Sequence, residues 1–484
     1  MKHTPYSFAS MAVLATAICG CAVGPNYVRP TSPISPTFKE AAGWSPAAPA
    51  DTLDRGDWWT LFNDPTLNAL AAKVEVSNQN IVAAEAAYRE ARAVVSEQRA
   101  ALFPTVDLTG SSTQSGGGSG TRGSVVSGGG SSVITGVGGG GANRTTEYRV
   151  SMGASWEPDI WGRIRRTIEG AAAQADASAA DLAAAKLSAQ GELATSYFGL
   201  RGADAQIAVD RTTVEAYQRS LTIAQNRYKA GVAPKSDVLQ AQTQLFNAQA
   251  DLAGLDQQRA NFEHAIAVLI GEAPGNFSLA PAPWTWTVPN LPPGVPSTLL
   301  QRRPDVAAAE RRVHSANAQI GVQTAAYFPD LTLTGSYGFA AAELGSLFSS
   351  PNALWSYGAS IAETIFDAGA RHARVAEARA THEQAVAQYR EVALQALQSV
   401  EDNLAATRVL AQQSDLRREA STAADEAEQI VNNQYKAGTV DFTAVVTAQT
   451  AAAQARSAVV QIAAQRQTTA VALIQSLGGG WKSP

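Results

Sequence analysis

The hexapeptide Asn226-Arg227-Tyr228-Lys229-Ala230-Gly231 occurs twice in this chain, returning as Asn433-Gln434-Tyr435-Lys436-Ala437-Gly438. Each copy ends an Ala-rich helical pattern. Each is followed by a second helical run, carrying Ala241-Gln242-Thr243 in one case and Ala448-Gln449-Thr450 in the other. Both pairs sit 207 residues apart, so the chain is an internal duplication of about two hundred residues. Glycine takes the left-handed conformation that ends helices. Gly231 and Gly438 therefore mark the tips of two antiparallel helix pairs, and the fold must be one structure built from two similar halves.

The helices leading to those tips are long. From about Gly162 to Lys229 there is no proline, enough for a helix of about 100 Å. Leu193, Leu200, Ile207, Val214, Leu221 and Tyr228 recur every seven residues, a coiled-coil seam. The return helix, Asp237 to Leu269, carries Val238, Leu245, Leu252 and Ile266. Asp367–Lys436 and Asp441–Leu477 repeat the arrangement, with Leu416, Ala423 and Ile430 echoing Val209, Ala216 and Ile223. An earlier helix is expected from Asp64 to Ala101, started by Asp64-Pro65 as N-cap and first helical residue. Alanine supplies much of the apolar content, and it favours both helix and close helix approach.

Two interruptions change the period. After Phe103-Pro104, Val106 and Leu108 alternate with polar residues; a Gly/Ser-rich loop over 115–142 leads to Tyr148, Val150, Met152, Ala154 and Trp156, alternating with Arg149, Ser151, Gly153, Ser155 and Glu157. The second half does the same after Phe328-Pro329, with Leu331, Leu333, Tyr337 and Phe339, then Trp355, Tyr357, Ala359 and Ile361. One such strand alone reads more simply as part of a soluble half-buried sheet. Four of them, apolar on one face and polar on the other with aromatics near their ends, point to membrane-spanning strands.

Chemistry is sparse. The histidines (His3, His264, His314, His372, His382) form no metal-ligand spacing. The Gly-rich run lacks GxxxxGK[ST]. Asp425-Glu426 reads as solvated helix surface. Neither an enzyme nor a cofactor or metal is expected, and a net charge of −5 gives no reason to expect nucleic acid. Both cysteines, Cys19 and Cys21, lie at the start, so no disulfide framework exists. Lys2 to Gly20 reads as a signal peptide. Ile18-Cys19-Gly20-Cys21 resembles a bacterial lipobox with Cys21 acylated, although Cys19 is unusual there; an ordinary secretory signal is the alternative. Ala22 after Cys21 favours the outer membrane by resemblance to lipoprotein sorting.

Several segments together resemble the TolC-like outer-membrane efflux channels, most closely their lipoprotein (NodT-type) branch. They are Cys21-Ala22-Val23-Gly24-Pro25-Asn26-Tyr27, Trp58-Trp59 with Phe62, Leu67 and Leu70, and Arg302-Arg303-Pro304-Asp305-Val306 with Ala309-Glu310. The resemblance covers nearly the whole chain. It implies a mainly α protein with a membrane β-barrel: a homotrimer whose chains each give four strands to a 12-stranded barrel and long hairpins to a periplasmic α-barrel tunnel. It also implies passive export of small molecules or drugs, driven by an inner-membrane RND pump through a periplasmic adaptor. Family members often carry acidic residues near the second hairpin tip as a constriction. Here those aperture positions are Ala444 and Thr447, with Asp441 nearby. In the first hairpin Asp237 holds the acidic place or serves as an N-cap.

The expected divisions are a lipoprotein signal peptide (1–20), a lipidated extended arm (21–63), a first repeat (64–271), a Pro-rich connector (272–296), a second repeat (297–478) and a tail (479–484). Tyr228, Lys229, Gly231, Asp237, Tyr435, Lys436, Gly438 and Asp441 are expected at the periplasmic tip against the adaptor. Arg149, Ser151, Ser155 and Glu157 are expected to line the barrel lumen, since a four-stranded sheet cannot close alone in lipid. The alternative is a lipid-anchored helical structural protein of the envelope without channel activity, which leaves the four strands unexplained.

Overall fold

The computed structural model describes residues 22–31, 38–40, 57–116, 144–284, 286–289 and 303–479. The signal peptide, Cys21, most of the arm, most of the Gly-rich loop, residues 285 and 290–296 of the connector, residues 297–302 of the second repeat and the last residues of the tail lie outside them. The chain divides into two compact units: residues 1–27, 93–171 and 316–381 form one, and residues 28–92, 172–315 and 382–484 the other.

The first unit is built on one antiparallel sheet. Its strands are β1 (Thr105–Gly116), β2 (Arg144–Trp156), β3 (Asp330–Ala341) and β4 (Ala353–Ala362), side by side in chain order. Thr105 pairs with Ser155, Trp156 with Leu333 and Asp330 with Ala362. The predicted alternation therefore holds across all four strands, because opposed residues share a face. Polar cross-links tie one face: Thr109 Oγ1 lies 3.0 Å from Ser151 Oγ, and Ser336 Oγ lies 2.8 Å from Ser356 Oγ. Trp355 and Tyr357 stack at 5.8 Å on the other. Residues 23–26 are threaded here too. Val23 N–H donates to Trp161 O, and the buried Arg166 donates to Val23 O, Gly24 O and, at 2.9 Å, Asn26 Oδ1.

The second unit is helical. Asp64 caps α1 (Pro65–Ser77), its Oδ1 accepting from the N–H groups of Thr66 and Leu67. The single helix expected over 64–101 is in fact two. Asn78 breaks it in an extended conformation, and α2 (Gln79–Ala100) restarts beyond. The amide of Asn78 explains the break: its Oδ1 caps Asn80 and Ile81, and its Nδ2 donates to Leu269 O at 2.8 Å. The long helices are α3 (Arg163–Lys229), α4 (Lys235–Leu269), α5 (Pro304–Ala325), α6 (Ala370–Ala437) and α7 (Phe442–Ser476). Among the described residues no helix is long and apolar enough to cross a membrane.

One core joins Trp58, Trp59, Phe62 and Leu67 to Leu193, Tyr197, Phe198 and Leu200 of α3, Ile266 of α4 and Leu473 of α7. An ionic network lies beside it. Tyr197 donates to Asp64 Oδ2 at 2.6 Å and stands next to Arg201, which pairs with Asp204; Asp204 also takes Arg259 at 2.7 Å. Burial first, then the hydrogen bond to Asp64, pushes the Tyr197 phenol up to about 12. The first-half seam is buried from Leu193 to Ile207 and at Leu221, partly buried at Val214, and 46% exposed at Tyr228. The echo in the second half is not a buried seam: Leu416 and Ile430 are exposed. The buried line of α6 runs instead through Val400, Ser414, Glu428 and Tyr435. Arg456 pairs with Glu428 and with Asp425, both at 2.7 Å. Asp425 is thus an ion-pair partner rather than a free surface carboxylate.

Candidate functional site

Two features carry the expected functional residues: the pair of hairpin tips in the helical unit and the polar face of the sheet. Both tips end in the same backbone motif. At the first, the N–H groups of Val232 and Gly231 return to Arg227 O and Tyr228 O; at the second, those of Thr439 and Gly438 return to Gln434 O and Tyr435 O. Gly231 and Gly438 have φ of 75° and 80°. A residue with a Cβ pays a steric cost there, which is why the repeated hexapeptide ends in glycine.

The two tips pack into one cluster. Tyr217, Leu221 and Ala224 of α3 and Ala241 and Leu245 of α4 meet Tyr435 of α6 and Phe442 and Val445 of α7. Across this contact Arg227 Nη1 donates to Tyr435 O at 2.7 Å, and the Arg227 guanidinium lies 4.6 Å above the Tyr435 ring. Burial, and after it the Asp237 carboxylate, pushes the Tyr435 phenol above its ordinary range, against the opposing pull of Arg227. Gln449 is buried in the same region, with Nε2 donating to Ser220 Oγ at 2.8 Å.

The expected tip residues separate accordingly. Tyr435 is buried and bridged. Tyr228, Lys229 and Lys436 are exposed on the rim. Asp441 is the N-cap of α7, accepting from Ala444 N–H at 2.9 Å. Asp237 is not an N-cap: Pro234 takes that place, and Asp237 lies in the first turn of α4. By the 207-residue offset Asp441 matches Pro234, and Ala444 matches Asp237. Ala444 is partly buried and Thr447 exposed. Sequence reasoning missed Arg227, although a signal was present: it is the one position at which the two hexapeptides differ.

On the sheet, Arg149 pairs with Glu147 at 3.2 Å, and Ser151 and Ser155 face Thr109 and Thr105. Glu157 lies beyond the end of β2 and is held by Arg163 through both oxygens, at 2.6 and 2.7 Å. It belongs to the strand-to-helix junction rather than to the strand face.

Known proteins share this arrangement. The profile of the family described as outer membrane efflux protein matches residues 70–272 and 295–479. The probable efflux pump outer membrane protein TtgC of Pseudomonas putida is 28% identical over 478 residues, covering 98% of this chain and 96% of that one. The cation efflux system protein CusC of Escherichia coli is 26% identical, covering 97% and 98%. Among solved structures, the outer-membrane channel OprN superposes with a TM-score of 0.85 at 30% identity, covering 96% of this chain and all of that one. The open state of the Neisseria gonorrhoeae MtrE channel superposes at 0.82 with 27% identity, covering 96% and 99%. With both halves of the duplication inside the matched range, this chain belongs to the outer membrane efflux protein family.

Proposed function

We propose that the protein works as a homotrimer, a passive conduit in the outer membrane through which small organic molecules leave the periplasm. It is the outer-membrane component of a tripartite efflux system, completed by a periplasmic adaptor and an inner-membrane RND pump. One observation carries this reading: among the described residues the sheet has two unpaired edges, on β1 and β4. Unpaired backbone groups cost several kcal/mol each in hydrocarbon, so the edges must close on other copies. Two copies give a barrel filled by side chains, whereas three give an open lumen. In that barrel Arg149, Ser151 and Ser155 line the water side. Exposed Val409, Leu416 and Ile430 of α6 lie on one heptad row and supply helix contacts between copies.

The tips, with Tyr228, Lys229, Gly231, Lys436 and Gly438 on their rim, form the adaptor-facing end, and Ala444 and Thr447 border the aperture. Asp237 is the acidic group available beside it. Acylation at Cys21 would add a lipid anchor to the barrel's own hold on the membrane. Met152 is the one methionine beyond the signal segment, which argues against a methionine relay for copper.

The test joins a mass measurement of the detergent-solubilised protein to conductance in a planar bilayer. A mass of three chains with stable conductance is expected. A monomer or dimer that conducts, or a trimer that does not, overturns the reading.

A further inference from the structure

The duplication supplies a template for how one copy of the chain meets the next. β1 and β3 are repeat-mates 225 residues apart, with Leu108-Thr109-Gly110-Ser111 matching Leu333-Thr334-Gly335-Ser336. β2 and β4 are repeat-mates 205 residues apart: Ser151, Gly153, Ala154 and Ser155 match Ser356, Gly358, Ala359 and Ser360. Inside the chain the two repeats join along β2 and β3, where Gly153 opposes Ser336, Ala154 opposes Gly335 and Ser155 opposes Thr334. The same residues stand unpaired on the outer edges, with Gly358, Ala359 and Ser360 on β4 and Ser111, Gly110 and Thr109 on β1.

We infer that β4 of one copy pairs with β1 of the next in the register Ser360 opposite Thr109, Ala359 opposite Gly110 and Gly358 opposite Ser111, with Phe366 stacked on Phe103 at its foot. The inference rests on the oligomeric reading above and adds the register. Three features agree with it.

The first is coverage. In this register all ten residues of β4, Ala353–Ala362, face residues of β1, from Gly116 to Asp107. Face parity is kept, and Ile361 meets Leu108, apolar against apolar.

The second is the foot of the seam. Trp161 stacks on Phe328 at 4.8 Å where the repeats join within the chain, and its Nε1 donates to Pro329 O. Their repeat-mates at the same two offsets are Phe366 and Phe103, which are 85% and 69% exposed on the single chain. Two rings whose counterparts are stacked stand bare at the two edges that must meet.

The third is closure. One level across the sheet runs from Thr109 to Ser151, Gly338 and Leu354, and in this register on to Ser115 of the next copy, a climb of six residues. Three copies climb eighteen, which for twelve strands gives a tilt of about 46°, at the edge of the roughly 35–45° found in such barrels. Of the two neighbouring registers that keep face parity, Ser360 opposite Ser111 tilts the strands to about 54° and leaves Ala353 and Leu354 beyond the end of β1, whereas Ser360 opposite Asp107 tilts them to about 35° and takes Phe366 out of line with Phe103.

Disulfide formation in the full-length protein in membranes reads the register. Directly opposed Cβ atoms lie about 4.5–5.5 Å apart, within reach of a disulfide after small adjustment, whereas diagonal neighbours lie about 7–8 Å apart. After oxidation, Thr109→Cys with Ser360→Cys should convert most of the protein to species of two and three chain masses, reversed by reductant. Ser111→Cys with Ser360→Cys should give several-fold less. Preferential cross-linking of the second pair overturns the register while leaving the trimer intact. Cross-linking of neither pair in protein that still has the mass of three chains also overturns the register, and Asp107→Cys with Ser360→Cys then tells a shifted seam from an absent one. Loss of the three-chain mass in the unmodified protein removes the oligomeric reading itself.

Discussion

The two hairpin tips share a hexapeptide and a helix-ending geometry, yet they use the shared tyrosine in opposite ways. Tyr228 is 46% exposed, whereas Tyr435 is 4% exposed beneath Arg227. One letter separates the copies. Arg227 reaches across to the backbone and ring of Tyr435, and its counterpart Gln434 presents no guanidinium in return. Duplication therefore preserved the local turn while the contact between the turns became one-sided. A repeat is free to diverge where only one partner is needed to make a contact, and it stays constant where the backbone itself demands a residue, as at Gly231 and Gly438.

The largest expected break of this comparison is removal of the buried ring. Tyr435→Ala should cost about 3–5 kcal/mol, as for other large buried aromatics. Tyr228→Ala should stay within about 0.5 kcal/mol. Amide hydrogen exchange at Thr439 and Val232, the closing N–H groups of the two turns, reports both. Equal effects would mean that the tips are equivalent in solution and that the one-sided packing is wrong. Next comes the bridge: Arg227→Ala should loosen the second tip by about 1–3 kcal/mol, since it removes a charged hydrogen bond and a ring contact. Gln434→Ala should be near neutral by the same exchange measurement. The smallest effect sharpens the contrast at the turn exits. Asp441→Ala removes an N-cap and should cost about 1 kcal/mol, visible as faster exchange at Ala444. Pro234→Ala at the matching position, where no side chain caps α4, should change exchange far less.

Much of the architecture was legible in the residues. The duplication, the strand faces, the proline-free helices and the glycine stops are local matters of period and backbone conformation, and each appears where expected. The helix break at Asn78 was not legible, because Asn78 turns the chain by donating to Leu269, 191 residues away. The exposure of the row at Leu416 and Ile430 was not legible for a similar reason. Heptad spacing says that a stripe wants a partner, and nothing in one helix says whether the partner belongs to the same chain.

The sequence by itself determined the two-repeat plan, the places where helices must stop and the alternating strands, since these follow from steric and periodic rules acting over a few residues. Only the tertiary structure decided which of two identical tyrosines is buried. It alone turned Asp425 from a surface carboxylate into a partner of Arg456. It also set the strand registers: matching residues on β2 and β4 are offset by 205 positions, yet the pairings Thr105 with Ser155 and Asp330 with Ala362 place β4 two residues further along its neighbour. The physical reason is common to all three. Burial, ion pairing and register are settled by groups from about thirty to two hundred residues apart, each weighing hydration against a partner whose position the local sequence does not contain.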